Sequence, residues 1–254
     1  MKTIFLILAI TTSVMAQRPS AQKGELLFDF RKESPASAVR ISAATQRNVL
    51  SKVFRRYLTD QDKCQSDFAG DDSNDYLAAA RKAGQIVPSI LDMTTGSFTA
   101  TGQTQTAYVI SVSECNAAHA DNFGTKRIAI FAGQQLVADM DADFMGTIMR
   151  KTDLDGNGID ELLMVSNDIA QGTVTEMATL ASFENGRRHV IHDFGTVVLD
   201  SCQSLSPGSD SKAAVIYTGA FAPGLKPTLT QENYVASCRN PRRWKFVSKG
   251  KMPE

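Results

Sequence analysis

One stretch, Asp153-Leu154-Asp155-Gly156-Asn157-Gly158-Ile159-Asp160-Glu161, constrains this chain more than any other. Side-chain oxygens stand at its first, third and fifth positions, and a glycine stands at the sixth, where the backbone must turn sharply. Ile159 can offer its carbonyl from the seventh position, and Glu161 supplies a carboxylate at the ninth. Hard divalent cations take six to eight oxygens at about 2.3–2.6 Å, and alternate residues of a tight loop deliver them. The expectation is one Ca2+ held by Asp153, Asp155, Asn157, the Ile159 carbonyl and Glu161. The plain alternative is a solvated Asp/Gly turn between two strands, which Gly156 and Gly158 would also favour.

The opening of the stretch fits the start of an EF-hand loop, D-x-[DN]-x-[DN]-G. Its end does not, because the twelfth position, where an EF-hand carries a bidentate Glu, is Met164. Glu161-Leu162-Leu163-Met164-Val165-Ser166 is a short apolar run suited to a strand rather than to an exiting helix. No amphipathic helix precedes the loop. A cation loop that feeds directly into a β-strand resembles the FG-GAP/VCBS type of repeat, the β-propeller blade unit also seen in integrin α-chains. In such repeats the positions of Asp153, Asp155, Asn157, Ile159 and Glu161 bind calcium. The resemblance is strong over about 15 residues.

Repeats recur, and two further segments share the outline of a small-residue turn followed by an apolar strand. They are 96–102 leading into Thr106-Ala107-Tyr108-Val109-Ile110, and 205–210 leading into Lys212-Ala213-Ala214-Val215-Ile216-Tyr217. The glycines Gly102, Gly158 and Gly208 lie about 56 and about 50 residues apart. Downstream strands recur at 127–131 and 136–138, at 177–183 and 189–191, and at 234–238 and 244–247. Asn185-Gly186 is a hairpin signal within this series. The fold class expected is therefore mainly β with a small helical N-terminal region. Three tandem, propeller-blade-like β-meanders occupy residues 89–254. Only the middle unit keeps the acidic loop: Phe98, Ala100 and Gly102 stand at the ligand positions of the first, and the third has only Asp210 nearby. Closed propellers need four to eight blades. Three units imply an open arc, or a small barrel or sandwich, with the N-terminal region covering an exposed edge.

Residues 1–16 read as a secretory signal peptide. Lys2 precedes the apolar run Ile4 to Ile10, and Val14 and Ala16 occupy the cleavage positions. The run is too short to span a bilayer. The rival is a short N-terminal anchor that is not cleaved. No later segment reads as a membrane span, and the expected location is secreted or periplasmic. Residues 17–88 form the helical region. Val49, Leu50, Val53, Phe54, Tyr57 and Leu58 follow helical spacing after Ser42 as N-cap. A second helix is expected from Ser73 or Asn74 to Gly84. The run Asp71 to Asp75 lacks a turn glycine, so it reads as that helix's cap rather than as a second cation loop.

Lys and Arg total 27 and Asp and Glu total 27, mixed along the chain, which gives no electrostatic footprint for nucleic acid. The basic C-terminal stretch with Trp244 and Phe246 reads first as a solvated strand face. Four cysteines, Cys64, Cys115, Cys202 and Cys238, allow three pairings in an exported protein. Cys202–Cys238 is favoured because both lie in the third meander, which leaves Cys64–Cys115. No C-x-x-C pair exists, and Cys115 with His119 is a weak metal signal.

No G-x-S-x-G, H-E-x-x-H or P-loop is present. Ser209-Asp210-Ser211-Lys212 matches S-x-x-K in a turn, where that motif wants a helix. His189 and His192 stand three apart on an expected strand, a spacing that sends them to opposite faces. The expected function is thus an exported, non-catalytic calcium-binding module, for recognition or adhesion of an extracellular or envelope ligand, protein or glycan. A secreted hydrolase or lyase built from scattered residues is the competing class, and an accessory subunit of an envelope complex is a third.

Overall fold

The computed structural model describes residues 25–32, 40–59, 82, 84–114, 125–204, 210–219, 228–241 and 243–251. The expected signal peptide, residues 73–81 and 83 of the expected second helix, the Asp71–Asp75 run, and Cys64, Cys115 and His119 lie outside these residues, while Lys82 is helical and Gly84 turns at a φ of 77°.

The protein is mainly β. Strand β1 (Leu26–Asp29) and helix α1 (Ala43–Val53) precede a four-stranded antiparallel meander. This meander comprises β2 (Ile86–Gly96), β3 (Gln105–Glu114), β4 (Thr125–Ala132) and β5 (Gln135–Asp141). A second, eight-stranded antiparallel sheet follows. It comprises β6 (Thr147–Thr152), β7 (Glu161–Ala170), β8 (Thr173–Ser182), β9 (His189–Asp200), β10 (Asp210–Thr218), β11 (Leu229–Ser237) and β12 (Lys245–Lys251), together with β1. One edge of β10 is shared. Residues 211–213 pair with the end of β9, and residues 215–217 pair with β1. The large sheet therefore divides into β6–β9 and a second quartet, β1 with β10–β12. Neither sheet closes on itself among the described residues.

Burial follows this division into layers. Val49 and Leu50 of α1 pack with Ile86, Tyr108, Ile110 and Phe131 in a first core. The opposite face of the four-stranded sheet, with Val109, Ile128 and Ile130, meets Leu162, Met164 and Phe183 in a second. A third core joins Leu163, Val165 and Leu180 to Leu27, Ala214 and Ile216. Strand β7 thus contributes Leu162 and Met164 to one core and Leu163 and Val165 to the next. A strand covered on both faces reads as a continuous apolar run rather than an alternation. That is why its sequence is Glu-Leu-Leu-Met-Val.

Helix α1 starts where the sequence places it, with Ser42 Oγ accepting from the Thr45 amide at 3.1 Å. It stops sooner than the apolar spacing suggests. Phe54 is extended, and the Leu58 amide donates to the Ile86 carbonyl at 2.8 Å. Asn185-Gly186 lies in the turn that joins the antiparallel pair β8 and β9, as its hairpin signal predicts. Both residues have positive φ, 56° and 71°, but they sit in a short 3-10 turn at 184–186 inside a longer connection. The Asn185 amide there donates to the Thr99 carbonyl of the first meander, a tertiary contact that reshapes the turn. Cys202 and Cys238 form a disulfide, with Cα atoms 5.3 Å apart. Among the described residues, no helix is long and apolar enough to cross a membrane.

Candidate metal centre

The Asp153–Glu161 loop connects β6 to β7 at the junction between the first meander and the quartet β6–β9. Leu154 and Ile159 turn inward and are buried, which fixes the loop at two points. Gly156 and Gly158 take φ of 74° and 82°, the left-handed region that glycine enters without a Cβ penalty.

The oxygens of the loop are held by the backbone that they encircle. Asp153 Oδ2 accepts from the Gly158 amide at 2.9 Å, and Asp155 Oδ1 from the Asn157 amide at 3.1 Å. Asn157 Oδ1 accepts from the Ile159 amide at 2.7 Å, and Glu161 Oε2 from the Leu154 amide at 2.7 Å. Asp160 turns the other way. Its Oδ2 accepts from the Ser97 amide at 2.8 Å, its own amide donates to the Ser97 carbonyl at 2.6 Å, and Lys151 Nζ stands 3.6 Å from it. The carboxylate that the sequence pattern leaves out of the ligand set is thus the one already committed to the neighbouring meander. Thr101 Oγ1 adds a bond to the Asn157 carbonyl at 3.0 Å.

Two features mark the interior of the loop as short of positive charge. Glu161 is only 3 % exposed, yet no cation stands beside it among the described ion pairs. Burial, and then the charges of Asp155 and Asp153, push its carboxyl up to about 7. Asp153 Oδ1 is buried and has no hydrogen-bond partner, an arrangement that native structures rarely tolerate without an ion or water. Carboxylate, amide and carbonyl oxygens are the donor types that calcium prefers, so this set fits that ion. Among the described residues no three His, Cys, Asp or Glu side chains are drawn together as a metal-holding group. Asp153, Asp155 and Glu161 instead line the loop, each on its own amide.

Beside Glu161 lies a concavity of about 420 Å³, which Asn185, Arg187 and His189 also line. Sequence reading set His189 on an expected strand and brought neither it nor Asn185 or Arg187 to the loop. Only the return of β9 past the loop brings them near it, and no local spacing signals that. His189 and His192 pair with Ser182 and Leu180 on β8. His192 is drawn inward, where it meets Phe194 edge-on at 4.7 Å, and burial lowers its pKa.

Compared with known proteins, the chain matches no family model, no curated protein and no solved structure.

Proposed function

We propose that the chain is an exported, non-catalytic recognition or adhesion module of three blade-like β-units, and that one calcium ion rigidifies the junction between the first two. Asp153, Asp155, Asn157, the Ile159 carbonyl and Glu161 hold the ion in this reading. The observation that carries it is the buried, unpartnered Asp153 Oδ1 beside the buried Glu161 carboxyl. A bound dication would satisfy the first and stabilise the charge of the second. Asp160 and Thr101 tie the same loop to residues 97–101, so order in the loop is passed to the first meander. The Cys202–Cys238 disulfide supports export, since such bonds persist in oxidising compartments.

Calcium that binds only the folded state stabilises it by mass action, about 2.7 kcal/mol at a hundredfold excess over the dissociation constant. For a domain of this size each kcal/mol moves the melting temperature by roughly 2–4 °C. Millimolar calcium is expected to raise the melting point of chelator-treated protein by several degrees. Magnesium should do less, since it demands tighter octahedral geometry. Asp153→Ala should abolish the calcium effect. Equal small shifts with both ions, in wild type and variant alike, would reduce the loop to a polar turn.

A further inference from the structure

A second concavity lies away from the loop. It is a cleft of about 800 Å³ at the open end of the third core, where β1, β8, β9 and β10 meet the segment leading into β12. Its floor includes Val198 and Ala213, which face each other across β9 and β10. Phe30 and the half-buried Trp244 add apolar walls, both packed on the third core.

The polar groups of the cleft fall into two sets. The cations are already engaged. Arg31 donates from Nε and from its NH2 group to the two oxygens of Asp29, each at 2.8 Å, and lies 4.1 Å over the Tyr234 ring. Lys32 stands 3.7 Å from the same carboxylate. The acceptors are not used up. Asp200 Oδ1 accepts from the Cys202 amide at 2.9 Å and from Ser211 Oγ at 2.7 Å, with no bond to its other oxygen among those described. Glu176 stands directly across from Val198 on β8, on the face that continues to Ala178 and Leu180 of the core. Its carboxyl makes no hydrogen bond or ion pair among the described residues, and burial raises its pKa. Glu176 is half-buried and lines the cleft, so its carboxyl is open to a ligand's donors.

We propose that this cleft binds a neutral glycan, with Glu176 and Asp200 accepting hydrogen bonds from its hydroxyls and Trp244 packing against the C–H face of a sugar ring. The cleft sets Phe30 and Trp244 beside charged and polar side chains in about equal measure, and its volume lies within the usual ligand-site range of about 300–1,000 Å³. Spare acceptors call for a ligand rich in donors. The negative face of an indole suits polarised C–H groups. A cationic peptide would also supply donors, but it would meet Arg31 and Lys32 in the same cleft. The Cys202–Cys238 disulfide joins the turn after Asp200 to the segment that carries Trp244, so it fixes the two sides relative to each other. The proposal names a ligand class for the recognition role put forward above and does not depend on calcium.

Trp244 is the chain's single tryptophan, so its fluorescence reports on the cleft directly. The experiment is a titration of the full-length protein with soluble cello-, xylo-, manno- and chito-oligosaccharides, alongside an oligolysine peptide. The expected result is a saturable emission change with at least one sugar series. It should weaken about tenfold or more in Glu176→Ala, the scale of one charge-assisted hydrogen bond, and should be partly retained in Glu176→Gln. Both variants should melt within a few degrees of wild type, since Glu176 has no partner to lose. Binding that survives chelator and Asp155→Ala upholds the cleft whatever the loop does with calcium. No saturable change with any sugar, a stronger response to oligolysine, or loss of sugar binding in Asp155→Ala would each overturn the assignment.

Discussion

At the scale of single residues, Glu161 makes the clearest prediction. Its folded value of about 7 lies above the ordinary 4.5. Below 4.5 the native and unfolded chains both hold the proton, and the site contributes no pH dependence. Between 4.5 and about 7 the unfolded chain releases the proton while the native chain keeps it, so stability falls as pH rises. Above about 7 the loss is complete, and it amounts to roughly 3 kcal/mol over the window. Denaturant unfolding of chelator-treated protein at about pH 4.5 and about pH 7.5 should show this fall in wild type and not in Glu161→Gln. Parallel profiles in the two proteins would remove Glu161 as its source. In the proposed calcium site the same proton would compete with the ion, since carboxylate metal ligands must be ionised.

At the scale of elements, the loops at the junction interlock through backbone shape as well as hydrogen bonds. A Cβ on Gly158 would lie 2.6 Å from Thr101 Cγ2, at a φ of 82° that side chains rarely adopt. Gly158→Ala is expected to cost roughly 1–3 kcal/mol in denaturant unfolding. Adding Thr101→Ala should recover the steric part and leave the backbone part. No recovery would mean that the loops do not press on each other there. The strands legible in the sequence are β3 to β5 and β7 to β12, each at least in part. Those that escaped periodicity are the ones bonded to neighbours through polar groups. Strand β6 is half-buried along most of its length and pairs outward through charge. Arg150 donates to the carbonyls of Leu26 and Leu27 at 2.7 and 3.1 Å, and Lys151 to that of Thr95 at 2.9 Å. Strand β2 carries Pro88, a bulge and the buried Asp92, which accepts from the Ile148 amide at 2.8 Å. Such contacts leave no regular spacing to read. The loop oxygens were legible because they fall at alternate positions of one short segment. The cleft residues were not, because β1, β8, β9, β10 and the Trp244 segment come together only in three dimensions.

At the scale of the molecule, the first described strand completes the last quartet. Leu26 pairs with Tyr217 on β10, and the Glu25 amide donates to Thr218 Oγ1 at a sequence separation of 193 residues. This sets an order of events when the chain folds. Meanders β2–β5 and β6–β9 can assemble from neighbouring hairpins, whereas β1 must close a loop that contains nearly the whole protein. Loop-closure entropy has to be met before such distant contacts reward it, so chains rich in them fold in milliseconds to seconds. β1 is therefore expected to dock after the folding barrier has been crossed. Leu27, 1 % exposed in the third core, tests this. Leu27→Ala should destabilise by about 2–5 kcal/mol. In stopped-flow kinetics nearly all of that loss should appear as faster unfolding, with the refolding rate little changed. Refolding slowed in proportion to the lost stability would instead place β1 in the nucleus. Late docking also leaves the edge of β10 open while the rest of the chain is already folded, and an open edge is where a second copy's β1 can pair in exchange.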